Sequence, residues 1–202
     1  MERSFALIEN YIYLYHTDTF IILPVFPESI SDVDQATFSS TTPISRSAPI
    51  YSYSNSGPRT VSFTLRLHRD LMQQVNYGVS NVRVDIGDDY IDTLVKQIQA
   101  CALPNYNAVA KMVDPPMVGL RIGDDVFIKG VVVGGPQITM SGALIRDPNK
   151  PDGLPRYSII DISLTIYEVD PYGAETVMQM GSFRGLTPYL EDKLYGRSVS
   201  GY

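Results

Sequence analysis

Tryptophan is absent, cysteine occurs once and histidine twice in 202 residues. The single cysteine, Cys101, excludes an intrachain disulfide and leaves the chain able to fold in a reducing compartment. One cysteine and two distant histidines, His16 and His68, cannot build a structural zinc site. Both histidines fall in expected strands or at strand ends, a poor setting for the imidazole of a Ser–His–Asp arrangement. No Gly-x-Ser-x-Gly elbow and no phosphate-cradling glycine loop occur. Charged residues make up only 19%, below the usual quarter or so, so more of the surface is neutral polar or apolar, which is compatible with extensive subunit contacts. The net charge is −6 and the Lys and Arg residues are scattered, which argues against a protein built to grip phosphates. The longest apolar runs fall far short of the ~20 residues that span a bilayer. The start, Met1-Glu-Arg-Ser, lacks a cationic segment followed by an apolar run, so export by the usual route is not expected. These absences point to a non-catalytic protein with no metal, no cofactor and no membrane.

Hydrophobic residues, by contrast, reach 44%, and a chain of this length can bury a real core. The pattern is mainly period two, the signature of strands. Tyr11, Tyr13 and Tyr15 share one face and Ile12 and Leu14 the other; after His16–Thr19 the pattern resumes at Phe20–Leu23, which reads as a hairpin. Pro24 and Pro27 confine Val25 and Phe26 to an edge or an extended link. Residues 29–58, rich in Ser, Thr, Asp and Pro, read as loop or as strands with irregular breaks, with a short strand at Tyr51–Ser54. Asn55–Pro58 is expected to turn, with Gly57 tolerating positive φ. Thr60–His68 is the clearest strand, with Val61, Phe63, Leu65 and Leu67 on one face. A helix is expected over Asp88–Leu103, since Ile91, Leu94, Val95, Ile98 and Ala102 recur at three and four; Asp88 or Asp89 caps it and Pro104 stops it. A hairpin follows at Val118–Val133 around Gly123–Asp125. Gly134-Gly135-Pro136 then breaks the pattern before a short strand at Gln137–Ser141. Residues 146–155 are expected to loop. Arg156–Val169 is a long strand, with residues 174–180 expected to pair beside it.

Several features admit both a functional and an ordinary reading. Ile-Gly-Asp-Asp occurs at 86–89 and 122–125; paired acids suit calcium or acid–base chemistry, but these sit where a helix cap and a hairpin turn are expected. Arg46 and Arg59 flank a polar loop, either as subunit-interface residues or as solvated loop charge. From Gly181 onward Gly, Ser and Tyr dominate, giving a domain at 1–180 and a tail at 181–202. That tail is either a frayed terminus or an arm that orders on a neighbouring subunit, with Tyr189, Leu190, Leu194 and Tyr195 as anchors. The 14 tyrosines suit stacking on sugars or, equally, large protein interfaces.

Five segments stand in a fixed order: Phe26-Pro27-Glu28-Ser29-Ile30, Arg-Thr-Val-Ser-Phe-Thr-Leu at 59–65, Pro-Pro-Met-Val-Gly-Leu-Arg-Ile at 115–122, Phe-x-x-Gly-Val-Val at 127–132 and Asp-Ile-Ser-Leu-Thr-Ile-Tyr-Glu-Val at 161–169. In this order they resemble the tube-protein domain of contractile injection systems, also met in phage baseplate hub and tube-initiating proteins. The resemblance covers roughly residues 20–170. It implies a mainly β (α+β) fold of two packed antiparallel sheets, a tail-tube-like sandwich or barrel flanked by one α-helix. It further implies assembly of the chain with copies of itself into a ring, a hexamer, beside tail tube, hub and baseplate wedge proteins. DNA would pass through the ring without specific binding; the acidic balance of the chain adds the expectation that some acidic side chains face the lumen and keep passing DNA from adhering. The location implied is the virion tail baseplate, after synthesis in the host cytoplasm. Many relatives continue into a peptidoglycan-binding LysM module; this sequence has a Gly/Tyr-rich tail there instead. Two further readings stay open from the residues themselves: a carbohydrate-binding β-sandwich module, and a hydrolase with an unrecognised site.

Overall fold

The computed structural model describes residues 10–69, 90–107, 112–123, 125–146, 153–169 and 174–179. The architecture is mainly β with antiparallel pairing throughout and one main helix, as the sequence leads one to expect. Its centre is an eight-stranded sheet. Strands β1 (Asn10–Leu14) and β2 (Thr19–Ile22) form the expected hairpin, with Leu14 opposite Thr19. Strand β3 (Ile30–Val33) pairs with β6 (Thr60–His68). Between them run β4 (Ala36–Thr41) and β5 (Ile50–Ser56), which among the described residues pair only with each other. Strands β7 (Asn105–Asn107) and β8 (Met112–Asp114) make a small separate ribbon. Strands β9 (Met117–Ile122), β10 (Val126–Val132), β11 (Gln137–Ile145) and β12 (Arg156–Glu168) complete the large sheet.

Strand β12 organises this sheet. All of β6 lies along one of its edges, from Ile159↔His68 to Tyr167↔Thr60. Its other edge is shared end to end: β10 takes Ile166–Glu168 and β11 takes Arg156–Ser163. The chain passes from β10 to β11 through Gly134 and Gly135, both at φ 73°, a region that glycine enters without Cβ strain. Period-two burial follows directly from the sequence. Val61, Phe63, Leu65 and Leu67 of β6, and Ile160, Ile162, Leu164 and Ile166 of β12, enter one apolar cluster with residues of β1, β2, β9 and β10.

Helix α1 (Tyr90–Ala100) closes this cluster with Ile91, Leu94 and Ile98, all fully buried. Its last turn tightens before Pro104, with the amides of Cys101, Ala102 and Leu103 each donating three residues back. Cys101 is buried beneath it, and burial pushes its thiol pKa up to about 12. The expected caps Asp88 and Asp89 lie outside the described residues. The hairpin β1–β2 is apolar on both faces: Tyr11, Tyr13 and Phe20 join Phe127 of β10 in a second, aromatic cluster.

Two expectations are corrected. Residues 174–179 are not a strand but a short helix, α2 (Ala174–Gln179). Its Ala, Glu, Met and Gln are good helix formers and carry no alternating face. Gly57 does not turn the chain, and its φ is not positive. It lies within one long hairpin in which β3–β6 is the base and β4–β5 the continuation, and its amide donates to the Gln35 carbonyl at 2.9 Å. Glycine is needed there for closeness, since a Cβ would stand 3.0 Å from the Gln35 Cβ.

Gly130 is tighter still. A Cβ on it would overlap the Tyr167 carbonyl oxygen at the β10–β12 seam. Gly130→Ala is expected to cost about 1–3 kcal/mol through forced backbone displacement, read as a lower urea midpoint at unchanged slope.

Candidate subunit interface

The β4–β5 ribbon is exposed along its whole length on both faces. Register sorts its side chains. Phe38 stands opposite Tyr53 and Ser40 opposite Tyr51, so the three aromatics share one face; Ser39, Thr41, Ser52 and Ile50 share the other. Phe38 and Tyr53 meet edge to face, their centroids 5.6 Å apart and their planes at 69°. The Tyr53 hydroxyl is 2.6 Å from the Ser56 hydroxyl. At the tip the Arg46 amide donates to the Pro43 carbonyl at 3.2 Å, Ser45 adopts φ 70°, and Ile44 is 99% exposed. Arg46 is exposed at this tip and is the one charged residue between Ala36 and Ser56.

Arg59 has a different place. Its side chain is 8% exposed, and its guanidinium is spent within the chain. Nε and Nη2 donate to the two Asp32 carboxylate oxygens at 2.8 and 2.6 Å. Nη1 donates to the Phe127 carbonyl at 3.1 Å and lies 3.7 Å from Glu168 Oε1. The bond to Asp32 raises the arginine pKa further, against the opposing effect of burial. Arg59 therefore ties β3, β10 and the end of β12 together at the root of the ribbon, which is not the surface role considered for it from sequence. Tyr189, Leu190, Leu194 and Tyr195 lie outside the described residues.

A second surface is the polar face of β6 and β12. Thr64 and Ser163 hydroxyls are 2.9 Å apart across the strands. Arg66 forms a fork on Asp161 at 2.8 and 3.3 Å, which holds the Asp161 carboxyl below its usual range. Ser62 faces Thr165 beside them. The surface is rich in hydroxyls, and the one ion pair on it among the described residues is self-neutralised. At the far end of the sheet Asp92 of α1 accepts from Arg69 at 3.0 Å and from Arg156, locking the helix to β12.

Among the described residues, no group of three or more His, Cys, Asp and Glu side chains is placed to hold a metal ion. Of the two acid pairs, the first lies outside the described residues, and Asp125 of the second is exposed at the β9–β10 turn. No described helix is long and apolar enough to cross a membrane.

The ribbon was only partly legible beforehand. Tyr51-Ser-Tyr-Ser signals its second strand, whereas Ala36–Thr41 looks like a loop because Ser and Thr dominate it. No family model matches the chain, and no curated protein matches its sequence.

Proposed function

We propose that this chain is a non-enzymatic structural subunit of a contractile phage tail baseplate. In this reading copies of it form a ring, a hexamer, at the hub end of the tube, joining the tube to baseplate components and lining the DNA channel. The observation that carries the proposal is the β4–β5 ribbon. Two strands standing off a finished core, with an aromatic face turned outward, gain little for the single chain, because an isolated hairpin is marginal in water. Aromatic residues aligned on one exposed face suit a protein partner. The order of sequence motifs supplies the kind of assembly. The hydroxyl-rich face of β6 and β12 is the surface we assign to the channel: Asp161 already neutralises Arg66 there, leaving no free cation in that pair for a passing phosphate.

The test is the state of the purified chain by size-exclusion chromatography with light scattering and by negative-stain imaging, alone and with tail partners. A ring of about six-fold chain mass is expected; a monomer under all these conditions overturns the proposal. Replacing Tyr51 and Tyr53 together by aspartate should abolish the ring while shifting chain stability by no more than about 0.5 kcal/mol per substitution, as exposed positions do. The sugar-binding reading also uses the ribbon aromatics, but Phe38 and Tyr53 cross at 69° and do not form a flat platform. A glycan-array signal from the monomer would favour that reading.

A further inference from the structure

We infer that the β4–β5 ribbon of one copy pairs along the open edge of β11 in a second copy, with Phe38, Tyr51 and Tyr53 on the side that carries Met140. The inference rests on the self-assembly reading above and names its two halves. Sheet edges in natural proteins are blunted by charge, proline, shortness or cover. The outer strands of the large sheet differ in this respect. Strand β3 is four residues long and has Asp32 and Asp34 at its end. Strand β2 is also four residues long, three of them buried, and α1 packs against it. Strand β11 is nine residues long, with neither a charge nor a proline. Among the described residues it has a strand on one side only. Its regular stretch, Gln137–Ser141, ends at a bulge where Gly142 takes φ 84°.

Side chains on β11 fit the same picture. Ile138 and Met140 stand opposite Ile162 and Ile160, on the core-facing side. Ile138 packs on the core, but Met140 lies beyond its cover and is 52% exposed. A thioether in that position suits an aromatic face, sulfur against ring edge. Strand β4, six residues long, is long enough to pair with the five-residue stretch before the bulge. Charge agrees. All 22 acidic residues lie outside the span from Ala36 to Ser56, and that span carries Arg46 alone, so the ribbon has the opposite sign to the body that receives it. Donor ribbon and acceptor edge are different patches on one chain. Such a contact is head to tail and closes into a ring when its rotation allows.

Directed cross-linking tests the contact. Ser52→Cys on the ribbon and Thr139→Cys on β11 are prepared as separate full-length proteins, mixed, and treated with a short bismaleimide. Native Cys101 is buried and protonated, and wild-type protein reports any background from it. A cross-linked pair in the mixture, at least about tenfold above either variant alone, is expected. Met140→Lys, a change at a half-exposed site that circular dichroism should show to be folded, should remove that product. Oligomers that yield no excess product in the mixture, or a product that survives Met140→Lys, overturn this contact and leave the ring reading standing. A chain that stays monomeric overturns both.

Discussion

Arg59→Ala is expected to lower the stability of the fold by about 3–5 kcal/mol, the cost of removing one partner from a buried ion pair. Glu168 makes the loss large. Its side chain is 6% exposed and faces the Arg59 guanidinium, so without that cation a carboxylate is left almost dry. Asp32, at 38% exposed, can recover water, and the Phe127 carbonyl loses a charged donor. Adding Glu168→Gln to Arg59→Ala should restore part of the stability, because the double variant no longer holds a nearly dry carboxylate beside the lost cation. Urea unfolding followed by circular dichroism reads both. A single variant within about 0.5 kcal/mol of wild type would show that the cluster does not hold β3, β10 and β12 together.

Phe63→Asp is expected to be as severe or worse. Phe63 is buried in β6 between Ile30 on β3 and Leu164 on β12. Losing the ring alone costs about 3–5 kcal/mol, and the carboxylate adds its desolvation. A domain with only about 5–15 kcal/mol in hand is then at the edge of unfolding. The sign with pH is defined. A carboxyl held in that apolar site has its folded pKa raised above the unfolded value of about 3.9. The native state then binds more protons than the unfolded one between the two values, so the deficit grows as pH rises through that window and shrinks below it. Parallel urea titrations of variant and wild type at pH 3.5 and pH 7 measure the difference; an equal deficit at both pH values would place the side chain in water.

The sequence disclosed the elements that bury one face and wet the other. In Thr60–His68, and over Ile160–Ile166 of β12, the apolar residues alternate without interruption, and the strands follow to within a residue. Gly123 marked the β9–β10 turn and takes φ 54°. The ribbon was harder to see, because a strand with no buried face has no alternation imposed by a core; Ala-Thr-Phe-Ser-Ser-Thr is compatible with a loop on every local rule. Arg59 was hidden for a different reason. Its partners stand 27 and 68 residues away at Asp32 and Phe127, and nothing local to Ser-Gly-Pro-Arg distinguishes a buried guanidinium from a solvated one. Residues 174–179 were drawn toward β12 by proximity, where Ala, Glu, Met and Gln favour a helix.

The nine paired positions between β6 and β12 have a mechanical meaning. The ribbon is rooted in β3 and β6, so a pull along it enters the body lengthwise through β6. Ladder bonds run perpendicular to their strands, and a lengthwise tug therefore loads many of them together in shear instead of unzipping them singly. From β12 the load continues directly into β11. Tension imposed at one end of this molecule thus crosses to the opposite border through two laddered seams, β6–β12 and then β12–β11.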